Sequence, residues 1–115
     1  MLPTKHRLRD SADFSAVLRS RRSGRAAGPR LVVTASSSPA DASRVGLVVS
    51  KAVGNAVVRN RTKRVLRHRM AALLPTMPEH TDVVIRATPA AGAAGAGDLR
   101  DDLDRLLTAA IDRRR

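Results

Sequence analysis

Hydrophobic positions along the chain switch between two periods. Phe14, Val17 and Leu18 recur at i, i+3, i+4 and predict a short helix over residues 10–20. Asp10 is placed to cap it, with Asp13 near the capping-box position. PRLVVTAS (29–36) and SRVGLVVS (43–50) are rich in β-branched residues and read as strands. The turn-rich SSPADA (37–42) between them predicts an antiparallel hairpin. A long helical pattern follows from Ala56 to Leu74, with Asn55 as its N-cap and Pro75 as its stop. TDVVIRAT (81–88) reads as a further strand. The last helix, 98–115, carries the stripe Leu99, Leu103, Leu106, Leu107, Ala110 and Ile111.

The remaining segments lack a period. Residues 1–9 read as an extended basic arm. RRSGRAAG (21–28) is a basic connector with room for one short edge strand. KAVGN (51–55) is a second connector, and PAAGAAGAG (89–97) reads as a flexible linker. The order αβββαβα predicts one α+β domain over residues 1–115, an α/β sandwich in which three helices cover a small, mostly antiparallel four-stranded sheet.

Composition sharpens this. At 115 residues the chain has room for one core. Phe14 is its only aromatic residue, so Leu, Val, Ile and Ala fill that core. There is no cysteine, which excludes disulfides, thiolate metal sites and a cysteine nucleophile, and fits a reducing cytoplasm. The N-terminus lacks the apolar run of a signal peptide, and no segment is long enough to span a bilayer. A cytoplasmic protein with no membrane partner is expected.

The formal net charge is +12. A charge that far from zero works against compactness and calls for a polyanionic partner. It concentrates in VGNAVVRNRTKRVLRHRM, residues 53–70, which hold six Arg or Lys, one His and no acid. On a helical wheel Val58, Thr62, Val65, Leu66, Ala72 and Leu73 gather on one side, towards the sheet. Asn60, Lys63, Arg64, Arg67 and His68 gather opposite, with Arg61 beside them and Arg59 at the boundary. Arg69 falls on the apolar side, where its stem is expected along the core and its head in water. Like charges at i, i+4, such as Arg59 with Lys63, each cost about 0.2–0.5 kcal/mol. No acid lies between Ala42 and Pro78 to offset them. An external anion accounts for this face better than solvation does, because phosphates reverse the sign of the penalty.

The anion narrows to folded RNA. Helix-turn-helix, zinc and zipper signals of DNA readers are missing. A single Phe cannot supply the stacking platform of aromatic-rich RNA modules. Backbone and shape recognition remains. His6, His68 and His80 are too scattered for a metal site. The early acids of the last helix, Asp98, Asp101, Asp102 and Asp104, are expected to compensate the helix dipole, and Arg113–Arg115 to fray. No constellation for acid–base or nucleophilic cleavage is present.

RVGLVVSKAVGNAVVRNRTKRVLR, residues 44–67, resembles the signature of the bacterial ribonuclease P protein subunit. It matches at Arg44, Gly46, Val49, Ser50, Lys51, Gly54, Ala56, Val57, Arg59, Asn60, Arg61, Lys63, Arg64 and Arg67. The opening arm and first helix, with Arg7-Leu8 and Asp13-Phe14, and the strand DVVIRATP are similar to the family as well. The resemblance implies a protein cofactor of a catalytic RNA, in a particle that removes the 5′ leader from precursor tRNA. The RNA carries the active-site magnesium, so no protein residue is catalytic. Its expected partners are that catalytic RNA and precursor tRNA, with no obligatory protein partner.

The resemblance further places Arg59, Asn60, Arg61, Lys63, Arg64, Arg67 and His68 on the face that docks onto the catalytic RNA. Phe14, Leu18, Val33, Arg44, Val48, Ser50 and Lys51 fall in a cleft for the single-stranded leader. It also implies a left-handed strand-helix-strand crossover around the basic helix, where general rules favour the right hand, in a class shared with a domain of a small-subunit ribosomal protein. Leu18 and Thr34 stand where many members carry aromatics, so leader contacts are expected to lean on charge and aliphatic packing. Two other functions compete. A protein nuclease would need a His pair or a carboxylate–metal cluster. A ribosomal or nucleoid-type RNA binder shares the composition but not the Arg59–Arg67 signature.

Overall fold

The computed structural model describes residues 2–114. Three helices and four strands follow the expected αβββαβα order: α1 (Ser11–Arg19), β1 (Gly24–Ala27), β2 (Leu31–Ser37), β3 (Arg44–Val48), α2 (Ala56–Leu73), β4 (Thr81–Ala87) and α3 (Ala96–Asp112). The edge strand expected within 21–28 is β1.

The sheet order is β1-β2-β4-β3. β1–β2 and β2–β4 are antiparallel, and β3–β4 is parallel. The predicted β2–β3 hairpin is therefore not formed. β4 inserts between the two strands and pairs with both, so the turn-rich loop at 37–42 joins strands that are not neighbours. The chain reaches β4 from β3 through α2, the crossover that a parallel pair requires.

Alternation assigns each face of the sheet. Ala26, Leu31, Val33, Ala35, Val45, Val83, Ile85 and Ala87 turn to one side. There they meet Leu66 and Met70 of α2 and Leu99, Leu103, Leu106, Leu107 and Ala110 of α3 in the main core. Leu8, Val17 and Val84 form a second, smaller cluster on the other face, with Phe14 and Val48 packed against it. So α2 and α3 cover one face, and α1 covers part of the other.

Two segments without a period are built in rather than loose. The arm at residues 2–9 buries Leu2 and Leu8, and the Leu8 amide donates to the Val45 carbonyl at 2.9 Å along the β3 edge. The expected linker at 89–97 forms a 3-10 turn over Pro89–Ala93 with Ala91 and Ala94 buried, and α3 begins two residues early. A side chain at Gly92 would collide with the Val53 carbonyl, so this turn lies directly on backbone. The C-terminus is also tied down. Arg113 Nη1 donates to the Arg25 carbonyl at 2.9 Å and Arg114 Nη1 to Thr81 Oγ1 at 3.0 Å. Arg115 lies outside the described residues.

Acids lock these layers together. Arg30 donates Nε to Asp102 Oδ2 at 2.7 Å, with Asp98 at 3.8 Å, joining the start of β2 to α3. Arg69 meets Asp104 through two bonds, Nε–Oδ1 at 2.7 Å and Nη2–Oδ2 at 2.5 Å, joining α2 to α3. Asp98, Asp102 and Asp104 thus bridge elements, a role dipole compensation alone did not anticipate. The Arg69 head is paired rather than left in water.

Candidate RNA interface

α2 begins where predicted. The Asn55 side-chain oxygen accepts from the Val58 amide at 3.0 Å and caps the first turn. The sheet-facing side is Thr62, Leu66 and Met70, fully buried, with Val58, Val65 and Leu73 half-buried beside them. Ala72 is exposed, contrary to the wheel, because Met70 takes the anchoring place. Thr62 can be buried because its hydroxyl donates to the Val58 carbonyl at 2.9 Å.

Asn60, Lys63, Arg64, Arg67 and His68 line one groove of about 340 Å³ along the outer side of α2. None of the five makes an ion pair among the described residues. Arg59 Nε, on the same helix, is buried with no hydrogen-bond partner among the described residues. Arg61 differs from its neighbours. Its Nη2 donates to the Ala94 carbonyl at 2.6 Å and fastens the turn before α3. Val57 is 77% exposed at the head of the same helix, an unpacked apolar side chain that charge counting overlooked.

Of the residues expected in the cleft, Phe14 and Val48 pack against the same Leu8–Val17–Val84 cluster on one face of the sheet. Phe14 lies over Gly46, where a methyl group would sit 2.5 Å from the ring Cζ. This close approach explains the glycine. The ring is half-buried and also lines a hollow of about 110 Å³ with Leu8, Leu47, Lys63 and Arg67. Lys63 and Arg67 line both this hollow and the α2 groove, so the cationic face runs up to the Phe14 ring.

Leu18 and Val48 line a groove of about 300 Å³ on the same face of the sheet. Leu18 is 54% exposed and overhangs it from α1. Ser50 and Lys51, both exposed, follow the end of β3 beyond Val48. Val33 is not in the groove. It is fully buried and faces the core opposite Ile85. A slip of one residue in a strand exchanges faces, and the groove floor is its neighbours Val32 and Thr34. Arg25 and Arg86, unremarked in the sequence, line the same groove.

Arg44 is held away from solvent. Its guanidinium is bound by Asp82 and approached by Asp13 at 3.5 Å. The hydrogen bonds to Asp82 raise the Arg44 pKa above its ordinary value against the opposing effect of burial. Asp13 makes this contact instead of closing a capping box, and Asp10 makes no side-chain cap bond. No group of three or more His, Asp or Glu side chains suited to a metal ion occurs among the described residues. Among the described residues no helix is long and apolar enough to cross a membrane.

A family model described as Ribonuclease P matches residues 2–111. The chain belongs to the ribonuclease P protein family. It is 50% identical over 109 residues to the ribonuclease P protein component of Acidothermus cellulolyticus, covering 93% of this chain and 89% of that one. The component from Kocuria rhizophila is 46% identical over 114 residues, 98% of each chain. Among solved structures, the Staphylococcus aureus RNase P protein superposes with a TM-score of 0.79 at 26% identity, over 90% of this chain and 93% of that one. The Thermotoga maritima RNase P protein, at 24% identity and a TM-score of 0.73 over 86% of this chain and 92% of that one, shares the fold. Within the ribonuclease P protein family, then, the signature at 44–67 divides physically. Arg44, Gly46 and Arg61 hold the structure, while Asn60, Lys63, Arg64 and Arg67 stand free.

Proposed function

We propose that the chain, which as a ribonuclease P protein component is the protein part of a tRNA-processing endoribonuclease and partners an RNA subunit, divides the work between two surfaces. The outer side of α2 docks onto the catalytic RNA through Arg59, Asn60, Lys63, Arg64, Arg67 and His68, with Arg61 bracing the helix from behind. The groove over the open sheet holds the 5′ leader of precursor tRNA, through Leu18, Val32, Thr34, Val48, Ser50 and Lys51. Phe14 stands at the junction, between the sheet and Lys63–Arg67. The protein contributes position and charge. Magnesium chemistry belongs to the RNA in this reading, and the particle works in the cytoplasm.

The single observation that supports it is how charge is paired. Arg30, Arg44 and Arg69 each meet a carboxylate and hold the fold together. The cations of the α2 groove meet none. Carboxylates are thus spent on arginines that join elements, with Arg105 beside Asp102, and the outer side of α2 keeps its positive field. Reconstitution tests the reading. Precursor tRNA is incubated at low magnesium with protein, catalytic RNA, or both. Cleavage by the RNA, enhanced by the protein, is expected. Cleavage by the protein alone contradicts it.

A further inference from the structure

The groove over the open sheet carries a charge pattern of its own. Two cross-strand rows form its floor: Arg25–Thr34–Val84–Gly46 and Ala27–Val32–Arg86–Val48. The central positions are small or aliphatic. The two arginines stand on a diagonal, on β1 and β4, with β2 between them. Two strand spacings and a two-residue offset put their Cα atoms about 12 Å apart. Both are exposed, and neither makes an ion pair among the described residues.

Arg86 is the more unusual of the two. It lies near the end of an interior strand whose other described residues are all buried. α1 packs on Val84, with Val48 at the edge of that cluster, while Arg86 and Ala27 of the second row are exposed. A charge on an interior strand, lining a groove with another unpaired cation, has no ion-pair partner among the described residues. Guanidinium groups bind phosphate oxygens bidentately and so hold a backbone regardless of the base attached.

We propose that Arg25 and Arg86 form a two-point phosphate clamp for single-stranded RNA. The clamp grips separate phosphates of the strand on either side of the Val32–Thr34–Val84 floor, against which ribose and base pack without stacking. It rests on the reading that this groove takes the leader, and it specifies how: by backbone, with little regard to leader sequence. In a groove without aromatic side chains, charge supplies what stacking would otherwise contribute.

The test uses holoenzyme reconstituted from the full chain and catalytic RNA. Affinities are measured against salt for mature tRNA and for precursors with all-A or all-U five-nucleotide leaders. Arg25→Ala/Arg86→Ala is expected to lower precursor affinity equally for both leaders and to leave mature tRNA binding unchanged. The log–log salt slope for precursor should fall by about 1.4, two contacts at ~0.7 each on single strands. Arg86→Lys should retain most of the slope. Leu18→Glu, exposed and safe for folding, reports on the groove itself. If Leu18→Glu weakens precursor binding and the arginine variants do not, the clamp is wrong and the groove stands. If neither does, both are wrong. Equal losses for precursor and mature tRNA, or a loss confined to one leader sequence, also overturn the clamp.

Discussion

Arg44 and Asp82 face each other across the parallel β3–β4 pair, with Nε to Oδ1 at 3.0 Å and Nη2 to Oδ2 at 2.7 Å. The Asp82 side chain is 2% exposed and that of Arg44 16%. Removing Asp82 leaves the Arg44 charge, in a poorly solvated place, with only the more exposed Asp13 at 3.5 Å. Asp82→Ala should therefore destabilise by about 3–5 kcal/mol, read by denaturant unfolding. Replacing both together with apolar residues of similar volume should recover much of that. A loss below about 1 kcal/mol for Asp82→Ala would show that water reaches Arg44 freely.

Acid sensitivity should originate at Asp102. Its hydrogen bond from Arg30 holds the carboxyl below the usual aspartate range, against the upward effect of burial and with further help from the charges of Arg30 and Arg105. A carboxyl depressed in the folded state contributes stability that is fully present above its unfolded pKa, about 4. That stability is lost as pH falls through the lower folded value. Unfolding free energy should decline below about pH 4. Asp102→Asn should be less stable at neutral pH and should show a shallower decline. An unchanged acid limb would place the sensitivity at other carboxylates.

Gly46 and Phe14 make a steric prediction. Gly46→Ala puts a methyl group into the Phe14 ring, with Leu8 Cβ at 3.1 Å closing the other side. Overpacking of this kind costs about 1–3 kcal/mol. The displaced ring should also weaken precursor binding. Combining Gly46→Ala with Phe14→Leu should restore much of the stability but not the binding. Recovery of both would make Phe14 purely a packing residue.

Arg64 and Arg69 sit on one helix and should behave oppositely. Arg64→Ala removes an exposed, unpaired cation, so stability should stay within about 0.5 kcal/mol. The salt slope for catalytic-RNA binding should fall by about 0.7–0.9. Arg69→Ala breaks the pair with Asp104, both about one-third exposed, for a loss up to about 1 kcal/mol. It should leave the slope unchanged. Filter binding over a salt series separates the two.

The sequence is most legible where one rule dominates. α2 shows a cap residue, an amphipathic period and a stopping proline, and its boundaries fall within one residue of those read from the chain. The α3 stripe is equally plain. Strand pairing is not, because the rule that neighbours pair cannot see β4 arriving from 33 residues beyond β3. The face of β2 is hidden for a related reason. LVVTAS is buried on both sides, so alternation has no polar face to mark, and Val33 is read for Val32. Leu2 and Leu8 lie in a basic arm, and Ala91 and Ala94 in an Ala-Gly stretch, without a period to signal burial. The pairing of Arg30, Arg44 and Arg69 with distant acids is set by tertiary contact alone. This pairing, with the Arg61 bond to the Ala94 carbonyl, distinguishes structural cations from available ones.

The division between the α2 face and the sheet groove is tested most directly by two affinities, measured with the same pair of variants. One is the affinity of the protein for catalytic RNA. The other is the preference of the reconstituted holoenzyme for precursor over mature tRNA, at saturating protein. Arg64→Ala/Arg67→Ala should weaken the first and leave the second intact once saturation is restored. Leu18→Glu should leave the first intact and reduce the second. If the α2 variant abolishes the precursor preference at saturation, or Leu18→Glu weakens binding to the catalytic RNA, the two surfaces do not divide the work as described.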